Sequence, residues 1–163
     1  MIKKFSRWLL YKRLGWTADV NVELPQKCVI CLAPHTSNWD FVYSMLYGKA
    51  EGLKSNFLMK KEWFFWPLGP IFRKLGGIPV YRNKKSSMTD NLAETAMREK
   101  SFRLAITPEG TRKANPEWKR GFYYIALKAG IPILLYGLDF ERKLIYCHRS
   151  FVPAGDVEKD MQE

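Results

Sequence analysis

Residues Lys27 to Ala33 read Lys-Cys-Val-Ile-Cys-Leu-Ala, an apolar run with no alternation between polar and apolar positions. A run of this length suits a strand. The absence of a polar face places it at the centre of a sheet, covered on both sides. Further strand-like runs follow at Asn56 to Lys60, Ile78 to Tyr81, Phe102 to Thr107 and Ile131 to Leu138. Between them, Ser37 to Tyr47, Glu62 to Leu75, Met88 to Glu99 and Gly121 to Ala129 have helical character. Pro67 and Pro70 divide the second of these into two short helices. Gly130 supplies a C-terminal stop for the last. Asp139 to Arg142 reads as a turn, and Lys143 to His148 as an antiparallel return strand. This alternation predicts an α/β fold with a mostly parallel or mixed central sheet flanked by helices.

The rest of the chain fits around that frame. Ile2 to Leu14 is expected to be a basic helix with Ile2, Phe5 and Leu9 on one face. Asn21 to Gln26 is a connection, Gly76-Gly77 a turn and Asn83 to Ser87 a basic polar loop. Another helix is expected to begin near Asp156. The 163 residues carry no internal repeat and no linker-like stretch, so one domain is expected over 1–163.

Two polar motifs each follow a strand run. The first is His35-Thr36-Ser37-Asn38-Trp39-Asp40, at the carboxyl end of the central strand, where open α/β sheets place their ligand crevices. A histidine there suits a general base. If the helix begins near Ser37, Asp40 falls in its first turn and its carboxylate can reach back to the imidazole, fixing the tautomer. The same residues also suit a helix cap, with Ser37 as N-cap and Asp40 in the capping-box position. The second motif is Pro108-Glu109-Gly110-Thr111-Arg112. Gly110 permits close backbone approach to a ligand, Thr111 adds a hydroxyl donor and Arg112 matches a phosphate bidentately. Glu109 suits orienting Arg112 or accepting a hydrogen bond from a substrate hydroxyl. The competing reading is a polar turn carrying a surface ion pair.

The charge agrees with an anionic ligand. The net charge is +11, with basic residues spread from Lys3 to Arg149 and dense only at Lys3, Lys4, Arg7, Lys12 and Arg13. No zinc-finger or RNP-like pattern accompanies them, and they do not cluster as a nucleic-acid stripe would. Cys28-Val29-Ile30-Cys31 matches C-x-x-C, but positions three apart on a strand point to opposite faces, which predicts two core thiols. No apolar run approaches the ~18 residues that span a bilayer, and the N-terminus lacks a signal-peptide pattern.

With both motifs in this order, the chain resembles the glycerolipid acyltransferases, which include the lysophosphatidate acyltransferases. The resemblance rests on His35 to Asp40, Gly77-Ile78-Pro79-Val80-Tyr81-Arg82, Pro108 to Arg112 and Ile131-Pro132-Ile133, and runs from about residue 28 to 140. The chain departs from the family pattern at Pro79, Val80, Thr107, Lys113 and Leu135, and the family's C-terminal region is expected to be short here. The resemblance implies transfer of an acyl group from a thioester, on coenzyme A or acyl carrier protein, to a hydroxyl of a lysophospholipid such as 1-acylglycerol-3-phosphate. By the same resemblance His35 is the base and Asp40 orients it. Arg82, Glu109, Gly110, Thr111 and Arg112 bind the acceptor. No metal or cofactor is implied. The alternatives are a thioesterase, with water as acceptor, and a non-catalytic binder of anionic lipid.

Aromatic residues make up 15% of the chain, and the segment Trp63 to Phe72 is rich in them. It is flanked by Lys60, Lys61, Arg73 and Lys74. That pattern suits either a core helix pair or a segment lying in a membrane interface. With the basic N-terminal helix, it leads to the expectation of a protein peripheral on the cytoplasmic face of an anionic membrane.

Overall fold

Seven strands join in one sheet in the computed structural model, which describes residues 1–81, 85–110 and 117–162. They are β1 (Thr17–Val20), β2 (Lys27–Leu32), β3 (Asn56–Lys60), β4 (Gly77–Val80), β5 (Phe102–Ile106), β6 (Ile133–Asp139) and β7 (Leu144–Phe151). Their order is β1-β7-β6-β2-β5-β3-β4. The expected central strand, β2, pairs in parallel with both β5 and β6. β3 pairs in parallel with β5 and β4. β7 runs antiparallel to β6, as expected of Lys143 to His148, and carries β1 in parallel on its outer side. The sheet is therefore mixed, with its five parallel strands adjacent.

Helices cover both faces. They are α1 (Ile2–Arg7), α2 (Asn38–Glu51), α3 (Leu68–Lys74), α4 (Lys85–Arg98), α5 (Gly121–Ala129) and α6 (Val157–Asp160). The alternation of side chains along β2 divides the core in two. Val29 and Cys31 pack with Leu92 and Ala96 of α4 and Phe122, Ile125 and Ala126 of α5. Cys28, with Ile30 and Leu32, packs on the opposite layer with Leu10, Trp16, Tyr47 and Ala50. The two cysteines of C-x-x-C thus serve different layers. Burial raises the Cys28 thiol to about 11 and the Cys31 thiol further, which keeps both protonated at neutral pH. Among the described residues, no cluster of three or more His, Cys, Asp or Glu is placed to hold a metal ion.

Several local expectations are revised. The N-terminal helix is α-helical only to Arg7 and continues as a π-helix over Trp8–Arg13. The wider turns break the 3.6-residue stripe. Leu10 and Ser6 are buried, whereas Ile2, Phe5 and Trp8 remain exposed. β1 has no counterpart in the sequence reading, because Thr17, Ala18 and Asp19 are exposed and give no alternating signal. The expected turn at Gly76-Gly77 is shorter, since β4 already begins at Gly77. Pro79 is accommodated there because β4 is an edge strand. α4 starts at Lys85, inside the expected loop, whose positions 83 and 84 lie outside the described residues.

The C-terminal α6 is held by a small polar knot. Tyr123 Oη donates to Asp160 Oδ2 at 2.7 Å, Ala154 N–H donates to the same oxygen at 2.8 Å, and Gly155 N–H donates to Tyr123 Oη at 3.1 Å. The Tyr123 hydrogen bond, followed by that from Ala154, holds the Asp160 carboxyl below the usual carboxylate range. A depressed native value adds stability above the unfolded value and loses it as pH falls through the native one. Asp160→Asn is therefore expected to lower the melting temperature at pH 7. The difference from wild type should shrink as pH drops below about 4, the unfolded carboxyl range. Equal melting curves at pH 7 would show that the knot does not hold α6.

Candidate active site

The carboxyl ends of β2, β5, β3 and β4 share one edge of the sheet, because these strands are mutually parallel. His35 stands three residues past the end of β2, and Glu109 three past the end of β5. Pairing of Cys31 with Ile106 brings the two loops level.

Asp40 is the hub of the first loop. It is 1% exposed. Its Oδ2 lies 3.0 Å from His35 Nδ1 and accepts from the N–H groups of Thr36 at 2.6 Å and Ser37 at 2.8 Å. Thr36 Oγ1 donates to Oδ1 at 3.4 Å. Ser37 is the N-cap of α2, its hydroxyl accepting from Trp39 N–H at 3.1 Å. The two sequence readings, helix cap and histidine partner, therefore coexist in one carboxylate. An ionised carboxylate only accepts, so Nδ1 carries the proton and Nε2 is left with its lone pair. The His35 side chain is 19% accessible.

Glu109 crosses between the loops. It is 6% exposed, and its Oε1 accepts from the backbone N–H of His35 at 2.8 Å. The sequence reading grouped it with the acceptor-binding residues. Its Oε1 contact is with the chain that carries the histidine. That role had no local signal, since it depends on strand register. Gly110 turns the chain after it with φ +63°, a conformation that favours glycine. Lys119, which no sequence pattern singled out, returns to this turn, its N–H donating to Pro108 O at 2.9 Å. Arg82, Thr111 and Arg112 lie outside the described residues. The structure thus brings together His35, Asp40, Glu109 and Gly110 of the predicted set.

Residues 19–135 match the family described as Acyltransferase. The chain belongs to the acyltransferase family. The match includes both polar motifs and every predicted site residue. The fold is similar to that in the crystal structure of the 1-acyl-sn-glycerophosphate (LPA) acyltransferase, PlsC, from Thermotoga maritima. The TM-score is 0.63 at 18% identity, covering 99% of this chain and 72% of that one. No curated protein matches the sequence. As an O-acyltransferase, the enzyme requires an acyl donor and a hydroxyl-bearing lipid acceptor.

Replacing Asp40 by Ala should destabilise this acyltransferase. It would strip the Thr36 and Ser37 N–H groups of their acceptor and remove the capping-box carboxylate of α2, and loss of a helix cap costs about 0.5–2 kcal/mol. A urea midpoint equal to that of wild type would show that the hub is dispensable.

Proposed function

We propose that this acyltransferase moves a fatty acyl group from a thioester, on coenzyme A or acyl carrier protein, to a hydroxyl of a lysophospholipid such as 1-acylglycerol-3-phosphate. The observation that carries this reading is the His35–Asp40 pair, held at the carboxyl edge of the sheet by Glu109. His35 Nε2 takes the proton of the acceptor hydroxyl as its oxygen attacks the thioester carbonyl carbon. The C–S bond then breaks, and the departing thiolate sulfur takes the proton from the imidazolium. The electron pairs balance with no acyl-enzyme and no further cofactor. Asp40 stabilises the transient imidazolium. Glu109 fixes the backbone of the base, and Gly110, Thr111, Arg112 and Arg82 take the acceptor, mainly its phosphate.

His35→Ala should reduce turnover by roughly 10²–10⁴-fold, the usual worth of a general base, with the fold retained. A folded variant with wild-type turnover would remove His35 from the mechanism. Arg112→Ala should raise KM for the acceptor about tenfold or more, from loss of a charged hydrogen bond, and leave KM for the donor unchanged. Equal effects on both substrates would argue against an acceptor phosphate site. Measuring thioester turnover with and without lysolipid separates this reading from hydrolysis by water.

The proposal includes docking on an anionic membrane at its cytoplasmic face. The segment after β3 leaves the sheet at the same edge as His35 and exposes Trp66 to 84%, Phe65 to 54% and Trp63 to 40%. Phe64 and Phe72 turn inward instead, with ring centroids 6.2 Å apart, and Phe72 lies 6.5 Å from Phe41. Lys60, Lys61, Arg73 and Lys74 are exposed around them. Aromatic residues with basic neighbours suit the headgroup region, where a lipid acceptor can enter without its chain crossing water. No helix among the described residues is long and apolar enough to cross a membrane. Changing Trp63 and Trp66 to Ser should weaken binding to anionic vesicles and spare turnover of a short-chain soluble acceptor. Unchanged vesicle binding would exclude this segment as the docking element.

A further inference from the structure

We infer that Lys119 is a ligand for a substrate phosphate, an additional binding residue of the site proposed above, on which this inference rests. Lys119 follows residues 111–116, which lie outside the described residues, and it is tied back to the start of the motif. Its N–H donates to Pro108 O at 2.9 Å. Its side chain lies over Gly110. A Cβ added to Gly110 would lie 3.0 Å from Lys119 Cδ and 2.8 Å from Cε, and would overlap Nζ. The ammonium is therefore set against the bare backbone of the Pro-Glu-Gly turn, one residue from the glutamate that holds His35.

The surrounding charges leave that ammonium available to an anion. Lys119 is exposed and makes no ion pair among the described residues. Its neighbour Arg120 is engaged by Glu158 at 2.8 Å. Oε1 of Glu109 faces the His35 N–H. The first turn of α5, which starts two residues later, carries no acidic side chain. A long cationic side chain usually keeps its head in water along an apolar support. Here it lies on a turn whose glycine leaves backbone open, and a compact ammonium there suits phosphate as a point charge. Two substrates bring phosphate: a phosphorylated acceptor and the coenzyme A donor.

The test compares Lys119→Gln and Lys119→Arg with wild type. Acceptors are 1-acylglycerol-3-phosphate and monoacylglycerol; donors are acyl-coenzyme A and acyl-pantetheine, which lacks phosphate. Lys119→Gln should raise KM about tenfold for the phosphate-bearing substrate that the ammonium meets and leave its phosphate-free counterpart unchanged, and Lys119→Arg should recover most of the loss. A rise confined to 1-acylglycerol-3-phosphate assigns the contact to the acceptor, and one confined to acyl-coenzyme A assigns it to the donor. Binding of inorganic phosphate, followed by phosphorus NMR line broadening, needs no turnover and should weaken about tenfold in Lys119→Gln. If wild type acylates no phosphate-bearing lysolipid but phosphate binding still depends on Lys119, the acceptor reading fails and the inference stands. Unchanged phosphate binding with unchanged KM values overturns it. So does a fall in melting temperature and kcat in both variants without any change in KM, which would make Lys119 a prop for the turn.

Discussion

The parallel register of β2 against β5 is the constraint on which the site depends. Cys31 stands opposite Ile106, and the two loops leave the sheet at the same height. Parallel strands advance about 3.3 Å per residue, so a slip of two residues would displace Glu109 from His35 by about 6.6 Å. No hydrogen bond survives that. The register is itself fixed by burial on both faces, because a slip of one residue exchanges the two core layers. Val29, Cys31 and Leu104 fill one layer, and Cys28 fills the other. The hydrophobic division of the core therefore sets a polar contact at its rim.

This explains which parts were legible in the sequence. The central strand, the alternation with helices and the two motifs were readable because each is written in contiguous residues. The capping role of Asp40 and its contact with His35 are both legible as alternatives, since a carboxylate in the first turn of a helix reaches either target. That it serves both became visible only once Thr36 and Ser37 were seen to converge on Oδ2. The contact of Glu109 with the His35 N–H is not legible for a related reason: a residue 74 positions away supplies the hydrogen-bond donor. β1 escaped notice because its pairing with β7 is made by backbone groups, and its exposed side chains carry no pattern. The π-helical turns escaped notice because a 3.6-residue template cannot represent them.

Two groups of exposed aromatics lie at opposite ends of α2. Trp39, in its first turn, is 61% exposed beside the dyad. At the other end, Glu51 accepts from Arg7 at 2.7 Å and Tyr11 at 2.6 Å, and this anchors the N-terminal helix with Ile2, Phe5 and Trp8 outward. With 14 residues, α2 separates the two patches by about 20 Å at 1.5 Å per residue. The aromatic segment after β3 belongs to the His35 end, and the basic N-terminal helix begins at the far end. Charge and aromatic content, which the composition gives as single totals, are thus distributed over distinct surfaces.

Because one carboxylate both starts α2 and orients His35, the enzyme has no simple way to loosen one without the other. Fraying of the first helical turn that moves Asp40 takes the acceptor from the imidazole and from the Thr36 and Ser37 amides at once. The free energy of opening this turn is therefore a ceiling on how firmly His35 can be held. The hydrogen-exchange rates of the Thr36 and Ser37 amides give a lower bound on the fraction of time the histidine spends without its carboxylate partner.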